Sequence, residues 1–333
     1  GPVWEEVIIH LPRQVKLVCL SATVSNANEV ADWISTVRGP TKYVVEEKRP
    51  VELENLYMVG DKTAQREHLF PTLISGRPNP EAARLEDLTR KIGGRGPVKG
   101  RPRRALYTPS RVEVVDRLNE EGLLPSIFFI FSRNGCNEAA QSCLKQGLRL
   151  TSPDERKRIK EIIDSRLDDI DDDDLDVLGY PQFVAQLEAG IAAHHAGLVP
   201  PFKETVEACF VEGLVKIVFA TETLAVGINM PARSVVIEKL SKFTGEHHEF
   251  LTAGEFTQLT GRAGRRGLDD KGHAVVLWNP FVTFEQVAGL ASSRTFRLTS
   301  SFRPTYNMAV NLVRSYSSEE ARHLLEHAAD RRA

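Results

Sequence analysis

A doubly wound α/β architecture follows from three features of this 333-residue chain. Short β-branched and aromatic runs recur, several apolar at nearly every position, as strands covered on both faces of a parallel sheet require. Longer amphipathic stretches alternate with them, and such alternation packs as helices on both faces of one sheet. Polar, glycine-containing loops follow the apolar runs, at the carboxyl ends of strands where open α/β sheets hold their ligands.

In chain order, VKLVCL (15–20), KYVVEE (42–47), SIFFIFS (126–132), VKIVFAT (215–221), SVVIEKL (234–240) and HAVVLWN (273–279) are expected as strands, and IAAHHAGLVP (191–200) begins as another. Residues 28–37, 134–146, 151–169, 201–212 and 253–265 carry helical periodicity. Residues 76–111 hold ten Lys/Arg against three acids with Gly and Pro throughout, the composition of a mobile basic linker or insertion. Seven aspartates in the nine residues 168–176 lack the glycine and ligand spacing of a calcium loop and read as a solvated acidic loop. Residues from about 300 onward read as two helices of a further unit.

Composition narrows the functional classes. With 41% hydrophobic and 26% charged residues, the chain has the balance of a soluble globular protein able to bury real cores. A net charge of −2 confines any nucleic-acid site to a local patch. No apolar run approaches the roughly 18 residues that span a bilayer, and no signal peptide opens the chain, so no membrane partner is expected. Cys19, Cys136, Cys143 and Cys209 show no CxxC pairing and read as buried, reduced thiols of a cytoplasmic protein. His194–His195 and His247–His248 lack Cys or carboxylate partners at ligand spacing, so no metal site is expected.

Five loops stand out. LSAT (20–23) puts Ser21, Ala22 and Thr23 just past an apolar run, to cap the next helix or to bridge to another site. In FIFSR, Ser132 and Arg133 follow a strand, and His195 and Gly197 follow another, where two adjacent histidines point to opposite faces. FATETLAVGINMPA (219–232) offers Thr221 and Glu222 at a strand end, Gly227 for a close approach and Asn229 for a turn. QLTGRAGRRG (258–267) sets Gln258, Arg262 and Arg265 at helical spacing with Gly261 and Gly264 between. Guanidinium groups suit phosphate oxygens because they are planar, permanently charged and bidentate. A surface salt-bridge network is the alternative, and glycines there serve no purpose.

The order of these motifs resembles the superfamily-two nucleic-acid helicases, in particular the superkiller-type DExH-box branch that includes the exosome-associated RNA helicases. GPVWEEVI resembles the segment after that family's DEVH box, SAT motif III, FIFSR motif IV, TETLAVGINMPA motif V, QLTGRAGRRG motif VI, and SSFRPTYNMAVNLV (300–313) the entry into its winged-helix domain. The resemblance implies a RecA-like doubly wound parallel sheet: the end of a first lobe (1–48), a linker with a basic insertion (49–115), a complete second lobe (116–296) and the start of a helical winged-helix domain (297–333).

It further implies an ATP-dependent RNA helicase acting with Mg2+, RNA as partner, and links to RNA-decay machinery. Arg262 and Arg265 would be arginine fingers toward the γ-phosphate, with Gln258, Gly227 and Asn229 on the ATP side. Ser132, Arg133, His195, Gly197, Thr221 and Glu222 would approach the nucleic-acid strand, and Ser21, Ala22 and Thr23 would couple hydrolysis to movement. The chain shows neither a GxxxxGK[ST] loop nor a DExH box, so the magnesium ligands are expected outside it and the chain alone is expected to be inactive. A DNA helicase of the same superfamily and a non-hydrolysing nucleic-acid-binding module are the alternatives.

Overall fold

The structure, a computed structural model, describes residues 2–12, 14–21, 24–46, 48–93, 106–168, 170–227, 229–243, 245–293, 298, 306–319 and 321–322. It divides into two compact units, one formed by residues 1–48 with 294–333 and one by residues 49–293.

The first unit begins with α1 (Pro2–His10) and α2 (Ala27–Arg38). Ile8, Ile9, Trp33 and Ile34 form a small core with Leu312 and Ala321. Asn26 donates to the carbonyl of Leu298 at 3.0 Å and accepts from its amide at 2.9 Å, fastening two sequence-distant segments. Residues 15–20 and 42–46, expected as strands, are irregular, with Val18, Leu20 and Val44 86%, 92% and 94% exposed. The reason is physical: β-branched runs form strands only beside a neighbour that pairs their amides and carbonyls, and no described strand of this unit does so.

The second unit contains the sheet. Its elements are β1 (Glu52–Asp61), β2 (Arg66–Pro71), β3 (Leu73–Ile74), β4 (Arg77–Pro78), α3 (Pro80–Gly93), β5 (Leu106–Tyr107), α4 (Arg111–Glu120), β6 (Ser126–Phe129), α5 (Arg133–Lys145) and α6 (Pro153–Leu167). There follow α7 (Asp172–Val177), α8 (Tyr180–Glu188), β7 (Ile191–His194), α9 (Pro200–Val211), β8 (Ile217–Ala220) and α10 (Thr223–Gly227). Last come β9 (Ser234–Ile237), β10 (Ser241–Phe243), β11 (His248–Phe250), α11 (Ala253–Thr260), β12 (Lys271–Leu277) and α12 (Phe284–Ser292); α13 (Tyr306–Ser315) returns to the first unit. The sheet order is β2-β1-β12-β9-β6-β8-β7, with β5 beside β1. The strands from β1 to β7 pair in parallel, and antiparallel β2 and β5 finish one edge.

Period-two alternation distributes the core. Tyr57, Phe129 and Val218 face the layer that contains Ile159, Leu187, Phe202, Phe256 and Phe284. Met58, Phe128 and Phe219 face Val114, Leu118, Cys136 and Cys143 on the other side. Burial pushes the Cys136 and Cys209 thiols up to about 12 and Cys143 up to about 11, so all three stay protonated; Cys19, expected to be buried, is exposed.

Described parts of the segment 49–115, expected as a linker, belong to the second unit. ELENLYMVGD enters the parallel sheet as β1, in register with β12 from Glu52–Lys271 to Met58–Leu277. Within the basic stretch, Asn79 caps α3 by accepting from the Glu81 amide at 2.9 Å while donating to the Pro71 carbonyl, and Ala82 is buried. Asn-Pro is a helix start, and it outweighs the Gly/Pro-rich average of the segment. Residues 94–105 lie outside the described residues. The aspartate-rich run also differs from the expected loop, since residues 172–177 form the short helix α7.

Candidate functional site

In the second unit, Phe129, Ala220, His194 and Ile237 pair in register, so the loops after β6, β7, β8 and β9 leave the sheet at one level. Four of the singled-out residues meet there. Ser132 caps α5, its hydroxyl accepting from the Gly135 amide at 3.2 Å, and Arg133 is exposed on the first turn. Across from them, His195 is 4% exposed, and both ring nitrogens are committed: Nδ1 accepts from the Gly197 amide at 3.1 Å and Nε2 faces Asn137 Oδ1 at 3.0 Å. That pattern fixes the Nε2–H tautomer and makes His195 the internal brace of the Gly197 turn. A Cβ on Gly197 would meet His195 Nδ1 at 3.1 Å and Arg133 Cδ at 3.6 Å, so this glycine lets the turn lie against both side chains. His194 points the other way, to Glu207 Oε1 at 2.9 Å.

Burial, with the charges of His194 and Arg133, holds the His195 imidazole below its ordinary value of 6.5. A folded value below the unfolded one means the unfolded chain takes up the proton first. The stability from neutral His195 is therefore complete above 6.5 and declines as pH falls through that value toward the folded one. Urea midpoints measured at pH 7.5 and 5.5 are expected to drop on acidification, and less so in His195→Gln; equal drops in both proteins would contradict the assignment.

The segment after β8 runs from the carboxyl edge of the sheet to its amino edge. Thr221 Oγ1 lies 2.9 Å from Thr223 Oγ1 at the start of α10, while Asn229 is exposed farther along. Glu222 was expected to approach nucleic acid. Its carboxylate accepts from Lys242 Nζ at 2.9 Å, and the same ammonium reaches Glu255 Oε1 at 2.6 Å. Glu255 completes the capping box of α11 with Thr252, so one lysine of the β10–β11 hairpin ties the end of β8 to the start of α11. An open pocket of about 510 Å³ lies over this cluster, lined by Glu222, Thr223, Ala225, Lys242, Gln258 and Leu259 among others.

The helix expected over 253–265 ends at Thr260, and Gly261 caps it. Arg262 and Arg265 therefore do not share a helical face. The Ala232 amide donates to the Arg262 carbonyl at 2.9 Å and the Gly264 amide to the Ala232 carbonyl at 2.7 Å, a parallel bridge beside the amino end of β9. This differs from the carboxyl-edge placement expected for all the loops. Gly264 adopts φ +90°, and a Cβ on it would lie 2.6 Å from Val51 Cγ1. Arg49 brings a guanidinium from outside the loop to it by donating to the Ala263 carbonyl at 2.9 Å.

The two arginines are held differently. Arg262 Nε and Nη2 both donate to the Ala225 carbonyl in α10, Nε at 3.1 Å, and burial, which disfavours the charged form, lowers the pKa of its guanidinium from the ordinary value. Arg265 forms a bidentate pair with Asp269: Nε to Oδ2 at 2.8 Å, Nη2 to Oδ1 at 2.8 Å, and its own amide to Oδ2 at 2.9 Å. Lys242, Asp269, Arg233 and Arg49 were missed in the sequence. For Asp269 a signal existed, since it stands four residues after Arg265 in RRGLDD. Ser21 is exposed in the first unit, and Ala22 and Thr23 lie outside the described residues.

A family profile described as the helicase conserved C-terminal domain matches residues 169–267. The chain is 53% identical over 336 residues to "Probable helicase HelY" of Mycobacterium tuberculosis, covering 98% of this chain and 37% of that protein. It is 35% identical over 331 residues to "Exosome RNA helicase MTR4" of Homo sapiens, covering 94% of this chain and 30% of the relative. Against "DExH-box ATP-dependent RNA helicase DExH10" of Arabidopsis thaliana it is 34% identical over 343 residues, 98% of this chain and 34% of the relative. The chain thus spans about a third of the length of these relatives. No helix among the described residues is long and apolar enough to cross a membrane.

Proposed function

Because this chain belongs to the superfamily-two DExH helicases of the superkiller-like branch, we propose that it supplies the second-lobe half of an ATP-dependent RNA motor. Residues 1–48 are assigned to the end of the first lobe and 297–333 to the start of a winged-helix domain. The cofactors are ATP and Mg2+, the metal held by residues outside this chain, and the partners are RNA and components of RNA decay in the cytoplasm. RNA is preferred to DNA because two of the relatives described above carry RNA helicase in their names.

One observation carries the reading: a glycine-containing loop holds two guanidinium groups in defined poses, Arg262 on the Ala225 carbonyl of α10 and Arg265 on the Asp269 carboxylate. Phosphoryl transfer develops charge on equatorial oxygens, and catalysis there is chiefly positioning and electrostatic stabilisation. Arg262 and Arg265 meet that requirement as preorganised cations, with Gln258 orienting the nucleotide and Gly227 and Asn229 allowing its close approach. ATP supplies the phosphoanhydride whose cleavage drives movement. Ser132, Arg133 and the Gly197 turn offer a polar, cationic surface for a sugar–phosphate backbone, which positions a strand without reading its sequence. Thr221 is assigned to the same surface, and Ser21, Ala22 and Thr23 to coupling.

Phosphate release tests the reading. The pure chain is expected to show no ATP turnover above background with RNA present, whereas the full-length protein turns over and is stimulated by RNA more than by DNA of the same sequence. Turnover by the pure chain at the full-length rate would overturn the division of labour, and stronger stimulation by DNA would reassign the substrate.

A further inference from the structure

Asp269 receives more donors than a surface ion pair needs. Its carboxylate side chain is 1% exposed, whereas the Arg265 side chain beside it is 21% exposed. Four donors converge on its two oxygens: the Arg265 Nε, Nη2 and backbone amide, and Arg233 Nε at 2.9 Å. Arg233 directly follows Ala232, the residue that bridges to the loop between Arg262 and Gly264. Through Arg265 on the loop and Arg233 next to Ala232, both segments of that bridge are therefore tied to the one Asp269 carboxylate.

Burial alone would raise the Asp269 carboxyl, but the bonds from the Arg265 side chain and amide and from Arg233 outweigh it and hold the group well below the ordinary carboxylate value. Two guanidinium groups on one carboxylate leave a net positive charge, so the pairing orients Arg265 without neutralising the loop. The edge used is Nε–Nη2. A guanidinium carries five N–H donors, and the Nη1 group with the outer N–H of Nη2 remains as a second bidentate edge.

We propose that Asp269 is a positioning residue for Arg265: it grips the inner edge of the guanidinium and leaves the Nη1–Nη2 edge set for a phosphate oxygen pair. This rests on the reading of Arg265 as a phosphate-binding finger. A merely stabilising role is served as well by apolar packing, because buried ion pairs are weak contributors to net stability. What apolar packing does not provide is a fixed direction for the guanidinium.

The test is ATP hydrolysis by the full-length protein carrying Asp269→Asn, Asp269→Glu, Arg265→Ala and the Arg265→Ala/Asp269→Asn pair. With the finger misdirected by on the order of 1 Å, kcat is expected to fall about a hundredfold in Asp269→Asn, with KM for ATP little changed. Asp269→Glu keeps the charge, and so the ionic balance of the fold, but moves the carboxylate by one methylene; it is expected to lose kcat as well. The pair is expected to be no slower than Arg265→Ala alone, because a positioning residue has nothing left to position. Wild-type kcat in folded Asp269→Asn and Asp269→Glu, with Arg265→Ala inactive, would overturn the role of Asp269 alone. Wild-type kcat in Arg265→Ala would instead overturn the finger.

Discussion

Gly272→Ala is expected to destabilise the second unit strongly. An alanine Cβ at 272 would stand 2.5 Å from the Ala263 carbonyl carbon and the Gly264 amide nitrogen, and 2.6 Å from the Ala263 oxygen. All three are backbone atoms of the loop that carries the arginines, so no rotamer change relieves the clash. Gly264→Ala combines a left-handed φ of +90° with contacts of 2.6 Å to Val51 Cγ1 and 3.2 Å to the Gly272 Cα. Strain and overpacking of this kind cost about 2–4 kcal/mol together. For a unit of this size the melting temperature should fall by roughly 5–15 °C. Two controls bound the effect. Gly267 has φ +79° in open space, so its alanine variant is expected to lose only about 1 kcal/mol. Gly289, within α12 with nothing near its Cβ position, should tolerate alanine or gain about 0.5 kcal/mol. Thermal denaturation of the four variants checks the ranking, and Gly272→Ala melting like Gly289→Ala would refute the close packing of β12 against the loop.

The same glycines show how much of the molecule was legible in its residues. The parallel sheet was readable because β6, β8, β9 and β12 are apolar on both faces, and continuous apolar character survives any error in register. The neighbouring β1 was missed because ELEN breaks the pattern at the end that lies nearest solvent, where β1 is only partly covered. Runs 15–20 and 42–46 misled in the opposite sense: their composition suits a strand, but pairing is a property of two segments and composition describes one. In QLTGRAGRRG the chemistry of the arginines was visible, and the geometry was not. Helical spacing accounted for the positions of Arg262 and Arg265, whereas the chain uses Gly261 to end the helix and Gly264 to turn beside Ala232. Partners far along the chain, such as Lys242 for Glu222 and Ala225 for Arg262, left no trace in local spacing.

Arg265→Lys and Arg262→Lys, made in the full-length protein, bear most directly on the central claim that these two groups stabilise charge on a transferring phosphate. Lysine keeps the charge and loses the planar fork, and an ammonium at 265 can no longer occupy Asp269 with one edge while offering a second edge to phosphate. Arginine fingers contribute about 10³–10⁵ in rate, so kcat for ATP hydrolysis is expected to fall about a thousandfold in each variant. KM for ATP and RNA affinity should change little, since the guanidinium acts chiefly on the transition state. Arg266→Lys, exposed on the same loop, supplies the control for charge and folding and is expected to keep wild-type kcat. Steady-state ATP turnover of the three variants with saturating RNA decides the matter. A fall of about three orders of magnitude at 262 and 265 with none at 266 is the predicted result, and near-wild-type kcat in both Arg262→Lys and Arg265→Lys would contradict it.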